Sequence, residues 1–125
     1  MNSLVVPELG QVALAVRDVA LAKRFYVDVL GLRPLFDAGP KLSFLGVGMV
    51  RLMLTVPDGA GEVGRNSVLY YRVAGLAEYY RRVVAGGAVP EREPGLAARL
   101  PDHELWLAFV RDPEGNLVGL MEERR

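Results

Sequence analysis

The sequence predicts an α+β fold made of two consecutive β-α-β-β-β units within one domain of 125 residues. Three observations predict it. Short runs alternate large apolar with small or polar residues, the period of a strand with two different faces. Two longer stretches carry apolar residues at helical spacing and end at glycine. The same order then restarts: setting Val73 on Val16 also places Ala77 on Ala20, a spacing of about 57 residues, as pattern repetition without sequence repetition.

Composition narrows the class. A chain of this length buries roughly two-thirds of its unfolded surface in one core and needs no second domain. Lys plus Arg balance Asp plus Glu at 15 each, so no overall field favours nucleic acid or an anionic membrane. The Arg81-Arg82 pair beside Tyr79-Tyr80 reads as a solvated helix face. Without cysteine there are no disulfides, thiolate metal sites or cysteine nucleophile, which is compatible with a reducing cytoplasm. Met1 to Gly10 shows no basic leader, and no apolar run approaches the roughly twenty residues that cross a bilayer. The expected location is cytoplasmic.

The first unit covers residues 8–56. Gln11 to Val16 is a strand, with Val12, Leu14 and Val16 on one face. Asp18 stands where an N-cap is wanted, and Ala22, Phe25, Tyr26, Val29 and Leu30 make the apolar stripe of a helix that Gly31 stops. Lys41 to Val47 and Met49 to Val56 are further strands, parted near Gly46 and Gly48. Turn formers then fill a connector over 57–66.

The second unit covers residues 67–123. Val68 to Val73 is a strand, and Leu76, Tyr80, Val83 and Val84 stripe a helix ending at Gly86-Gly87. Pro90 to Pro101, with three prolines, reads as irregular chain along an edge or rim. Leu105 to Val110 and Leu117 to Glu122 are strands joined by Arg111-Asp112-Pro113-Glu114-Gly115-Asn116. There Pro113 presets φ, Asp112 accepts from amides after it, and Gly115 and Asn116 tolerate positive φ.

Two of these stretches carry a family resemblance. The Asp112-Pro113-Glu114-Gly115-Asn116 turn, and the string Val16-Arg17-Asp18 with Ala22 to Leu32 containing Phe25-Tyr26 and Leu30-Gly31, resemble the vicinal oxygen chelate superfamily of glyoxalases, bleomycin-resistance proteins and extradiol dioxygenases. The likeness covers the chain from about Glu8 to Glu122. It implies a half-barrel with helices outside and a ligand cup inside, and pairing as a homodimer. Val12, Leu14, Val16, Leu69, Tyr71 and Val73 then lie beneath the helices, and the opposite parity faces the cup. Trp106 has no parity that the sequence fixes.

The resemblance also implies four metal-facing positions, which fall on Gln11, Met53, Val68 and Gly119. Divalent metals need converging nitrogen, oxygen or thiolate donors. Gln11 keeps one and the other three positions lack the family's donor, so no metal and no cofactor is expected. Shifting the placement by one residue, to Arg51, Leu52, Leu54, Ser67 or Leu69, supplies no better set. Glu122 has the wrong parity, Glu123 lies farther along its strand, and His103 beside Asp102 and Glu104 reads as a solvated rim residue. Ser43 and Ser67 have no histidine base, and Asp18 and Asp28 read as a cap and a helix-surface charge.

What remains on the cup parity is a mostly apolar basin with a few polar groups: Gln11, Arg51, Met53, Val68, Tyr70, Arg72, Gly119 and Met121, beside Ala13, Ala15, Thr55 and Leu117. Arg51 and Arg72 offer forked donors to an anionic or planar ligand, or else snorkel to water. The expectation is a metal-independent protein that sequesters a small organic molecule, aromatic or anionic, as a homodimer with no nucleic-acid or membrane partner. The alternative is a lyase, isomerase or dioxygenase of the same fold holding a divalent metal through an atypical ligand set. A dimer without a ligand is the third reading.

Overall fold

The alternating runs form two four-stranded sheets of identical order. In the computed structural model, which describes residues 7–57, 63 and 66–125, β1 (Gln11–Ala15), β2 (Arg33–Asp37), β3 (Leu42–Val47) and β4 (Val50–Thr55) lie as β1-β4-β3-β2. The second sheet, β5 (Leu69–Arg72), β6 (Val89–Arg99), β7 (Glu104–Arg111) and β8 (Leu117–Arg124), lies as β5-β8-β7-β6. β1 runs parallel to β4 and β5 parallel to β8, while neighbouring hairpin strands are antiparallel. Most of the expected connector lies outside the described residues.

Each unit carries one helix on the apolar face of its own sheet. α1 (Val19–Arg24) starts where Asp18 Oδ1 accepts from the Leu21 amide at 3.0 Å. It continues into a π-helical turn over Phe25–Val29, closed by Leu30 N–H to Phe25 C=O at 3.0 Å. Gly31, at φ +91°, turns the chain away as expected. α2 (Leu76–Ala85) begins with Glu122 accepting from the Gly75 and Leu76 amides at 2.8 and 3.2 Å. That carboxylate serves as the cap its own glycine cannot supply. Arg124, then the Gly75 amide, hold the Glu122 carboxyl below the ordinary carboxylate range.

Two strands escaped the sequence reading for the same reason. β2, Arg33-Pro34-Leu35-Phe36-Asp37, is exposed along its length and bulged between Pro34 and Phe36, so it shows no buried alternation. β6 is the stretch expected to be irregular along an edge or rim; it is an edge strand with three register shifts, the setting in which a sheet tolerates prolines such as Pro90 and Pro94. Both close the outer edge of a sheet.

The core lies between the helices and the two sheets: Leu14, Val16, Phe25, Tyr26, Leu52, Leu54, Leu76, Val83, Val110 and Leu120 are all buried. Val12, Leu69, Tyr71 and Val73 pack against it, as the parity required, and so does Trp106, which settles its direction. Among the described residues Tyr71 has a buried hydroxyl without a hydrogen-bond partner, and burial pushes its pKa up. No helix of the described residues is long and apolar enough to cross a membrane.

The Asp112 turn joins the units. Its carboxylate accepts from the Glu114 amide (2.8 Å), the Asn116 amide (2.9 Å), Asn116 Nδ2 (2.9 Å) and the Tyr26 hydroxyl of the first unit (2.6 Å). Burial first, then the Asp112 charge, push the Tyr26 pKa far upward, so the phenol stays a donor. Glu114 reaches on to the start of α1, accepting from the Arg17 and Asp18 amides at 2.9 and 2.8 Å and from Arg17 Nε at 3.1 Å. Asn116 Oδ1 accepts from Asn66 Nδ2 at 2.7 Å. Asn66 in turn accepts from Ala15 N–H at 3.0 Å and donates to Ala15 C=O at 3.2 Å.

Asp112→Ala strands these donors in the core and is expected to destabilise the protein by about 3–5 kcal/mol, whereas Tyr26→Phe, which removes one donor of several, costs about 1–2 kcal/mol. Urea unfolding of the two variants measures both, and equal costs would show that the turn is not organised by the carboxylate. The lowered Glu122 pKa carries its own sign: its support of α2 is full at neutral pH and is lost as pH falls through that depressed value. The protection factors of the Gly75 and Leu76 amides, with the pH dependence of intrinsic exchange divided out, should therefore fall in acid, and Glu122→Gln should blunt that dependence.

Candidate functional site

Opposite the helices each sheet presents a second face, and strand register sets its rows. On the first sheet Arg33, Gly46, Arg51 and Gln11 are successive partners across β2, β3, β4 and β1. The next row is Phe36, Phe44, Met53 and Ala13. Arg51 Nε donates to Gln11 Oε1 at 3.0 Å, and its guanidinium stands 5.6 Å from the Phe44 ring centroid. Gln11 Nε2 donates to Met53 Sδ at 3.7 Å. Phe36 stacks on Phe44 with centroids 4.6 Å apart. The Arg33 guanidinium lies over Gly46, where a Cβ would come within 2.7 Å of its nitrogen.

The second sheet repeats the arrangement with an aromatic ring. Tyr70, Gly119 and Phe109 share a row across β5, β8 and β7, and Arg72 and Met121 share the adjacent one. The Tyr70 ring covers Gly119 so closely that a Cβ there would meet Cδ2 at 2.6 Å. It meets Phe109 edge-on at 5.7 Å between centroids. Arg72 Nη1 stands 3.7 Å from Glu123, whose other oxygen is 3.9 Å from His103 Nε2. His103 is less exposed than a rim residue should be, its side chain 14% accessible, and Nδ1 is 2.7 Å from Asp102. Hydrogen bonding from His103, then from Arg125, holds the Asp102 carboxyl below its ordinary range.

The expected site residues thus gather in two groups. Gln11, Arg51 and Met53 touch one another on the first sheet; Tyr70 and Gly119 touch on the second, with Arg72 and Met121 one row along. Val68 lies just before β5, and it and Tyr70 are among the exposed large hydrophobic residues. An open cavity of about 740 Å³ lies between the units, lined by Arg33 and Gly46 from the first and by Tyr70, Arg72, Tyr79 and Met121 from the second. Arg33 was missed because its strand was. Phe44 was legible, since Leu42, Phe44 and Gly46 alternate with Ser43 and Leu45, but only the register shows it beside Met53. Phe109 likewise needed its pairing with Gly119.

The four positions that the resemblance marks out for metal ligands do not fit a divalent ion. Gln11 has its amide engaged by Arg51 and Met53, Met53 offers only a thioether, and Val68 offers no donor. At Gly119 the space a ligand side chain would need is filled by the Tyr70 ring. Among the described residues no group of three His, Cys, Asp or Glu side chains is placed to hold a metal.

Comparison with known proteins agrees with this architecture. The family model described as Glyoxalase/Bleomycin resistance protein/Dioxygenase superfamily matches residues 8–120. An integron cassette protein from the mobile metagenome of V. cholerae superposes with TM-score 0.79 at 20% identity, covering 97% of this chain and 98% of that one. TnmS3, an antibiotic binding protein from Streptomyces sp. CB03234, gives 0.77 at 20% identity over 97% and 99%. A lactoylglutathione lyase from Agrobacterium tumefaciens gives 0.74 at 25% identity over 94% and 95%. No curated protein matches the chain.

The closeness of Tyr70 to Gly119 predicts a coupled pair. Gly119→Ala alone should displace the ring and destabilise by about 1–3 kcal/mol, the usual cost of overpacking. The same change in a Tyr70→Ala background should cost much less, and a double-mutant cycle of unfolding free energies measures the difference. Additive costs would mean that the ring does not rest on the glycine.

Proposed function

Because the chain belongs to the glyoxalase/bleomycin resistance protein/dioxygenase superfamily, we propose that it is a member working without a metal, as a binding protein that sequesters a small organic molecule of aromatic or anionic character. The observation that carries this reading is the Tyr70 ring seated on Gly119. The position that the resemblance marks for the last metal ligand is the floor beneath an aromatic platform. Arginine and aromatic side chains dominate the rest of both faces: Arg51 by Phe44 with Gln11 and Met53 on one, Arg72 with Tyr70, Phe109, Met121 and Val68 on the other. Such groups hold planar and negatively charged molecules, and a mostly apolar wall with few polar anchors suits a drug-sized ligand. The antibiotic-binding likeness of fold points the same way, but as kinship of fold only.

Pairing of two copies across these open faces belongs to the same proposal. Phe36 and Tyr70 are each about half exposed, at 52% and 49%, which a second subunit would cover. A monomer mass by light scattering would remove that part.

Thermal melts of purified protein test the function directly. Ni, Zn, Mn, Fe or Co at stoichiometric excess should leave the melting temperature unchanged, because no donor set among the described residues gives the folded state a preferential affinity. Within a panel of aromatic carboxylates, at least one should stabilise the protein saturably, and Tyr70→Ala should weaken it roughly tenfold, the loss of about 1.4 kcal/mol of stacking and burial. Stabilisation by stoichiometric metal would instead favour the lyase, isomerase or dioxygenase reading.

A further inference from the structure

The two units differ at one equivalent edge, and that difference assigns a ligand chemistry. Val16 N–H bonds to Thr55 C=O at 2.9 Å in the first unit, and Val73 N–H to Met121 C=O at 2.8 Å in the second. These are the same bond in two copies of one pattern. Since main-chain groups of successive strand residues point to opposite edges, the preceding residue, Ala15 or Arg72, turns its N–H and C=O away from the sheet. At Ala15 both groups are met by the Asn66 side-chain amide, at 3.0 and 3.2 Å. Leu9 stands at the position matching Asn66 and has no amide to offer. Among the described residues nothing bonds to the N–H or C=O of Arg72, and β5 pairs with β8 alone.

The cavity of about 740 Å³ opens beside that edge, with Tyr70 to Val73 along its wall. Its existence follows from turn length. The β7–β8 hairpin spends Asp112 to Asn116 on its turn and drives Glu114 against the start of α1. The β3–β4 hairpin turns through Gly48 and Met49 alone and leaves the matching space open. Arg33 and Arg72 stand on its walls as cations, and Tyr70 and Tyr79 as flat surfaces.

We propose that this cavity binds a primary aryl carboxamide bearing a carboxylate, its amide pairing with the Arg72 main chain as the primary amide of Asn66 pairs with Ala15 and its anionic end held by Arg33 or the Arg72 side chain. A primary amide supplies, on one side, both an acceptor for N–H and a donor for C=O. The aromatic part lies against the tyrosines. The proposal rests on the reading of the chain as a binding protein, and it names the chemical class.

4-Carbamoylbenzoate, a primary amide with a carboxylate across the ring, is the probe. Titrated into isotope-labelled full-length protein, it should bind saturably and shift the Arg72 amide resonance more than that of any residue on the first sheet. 4-(Dimethylcarbamoyl)benzoate keeps the ring, carbonyl and carboxylate but cannot donate, so it should bind roughly tenfold more weakly, as a buried carbonyl left without its donor requires. Arg33→Ala should weaken 4-carbamoylbenzoate several-fold; Arg33 is exposed, and the variant's unfolding curve verifies that it still folds. Equal binding of the two probes, an unmoved Arg72 amide, or no saturable binding by 4-carbamoylbenzoate overturns the proposal. If other aromatic acids still bind through Tyr70 in that event, only this inference falls. Stabilisation by stoichiometric metal, with the Arg72 shift intact, would remove the metal-free reading and leave the ligand class standing.

Discussion

The buried carboxylate of Asp112 is the constraint on which the arrangement depends. A carboxylate taken from water must be met by donors or it costs several kcal/mol. Here two amides, a side-chain amide and a phenol converge on it. Three of these donors come from the turn itself, which fixes the hairpin. The fourth, Tyr26, comes from the helix of the other unit and ties the hairpin to it. With the turn fixed, Glu114 and Asn116 have no freedom in where they point, and both reach the junction of β1 and α1, Asn116 by way of Asn66. A local motif therefore sets a long-range contact.

That contact also breaks the symmetry of a repeated fold. Two copies of one pattern placed face to face would offer two equivalent clefts. One is closed by the five-residue turn and by the Asn66 amide laid along β1; the other, beneath the two-residue turn at Gly48-Met49, stays open along β5. The closed cleft is where the units are held together, and the open one takes no part in that bonding. Contact and cavity occupy corresponding places in the two halves.

Much of this is legible in the sequence because buried faces leave periods in it. Val12, Leu14 and Val16, the Asp18 cap, the Gly31 and Gly86-Gly87 exits and the Asp112 turn all fell where the pattern put them. β2 and β6 did not, since an exposed or one-sided edge strand buries no alternate face and writes no period. For the site, parity put Tyr70 and Gly119 on one face and Gln11 and Arg51 on one face, and the register then made each pair direct partners. It was silent on what lies across a hairpin: Phe44 beside Met53 and Phe109 beside Gly119 depend on register, which turn geometry sets. The half-buried setting of His103 is tertiary too, and no local pattern announces it.

The glycines of the two open faces show how a sheet surface takes in a broad flat side chain without a new backbone. Arg33 lies on Gly46 and Tyr70 on Gly119, each a broad flat group resting where a neighbour has no Cβ. A glycine on a sheet face leaves a hollow, and an adjacent side chain that fills it recovers the contacts the missing Cβ would have made. A ring or guanidinium from the next strand does so while keeping its outer face exposed. Once filled, the hollow resists a larger residue, because a carboxylate at Gly119 would first require the Tyr70 ring to leave. The bare glycine and the ring that rests on it are then one structural feature, and the shape of this face follows from the space the absent side chain leaves.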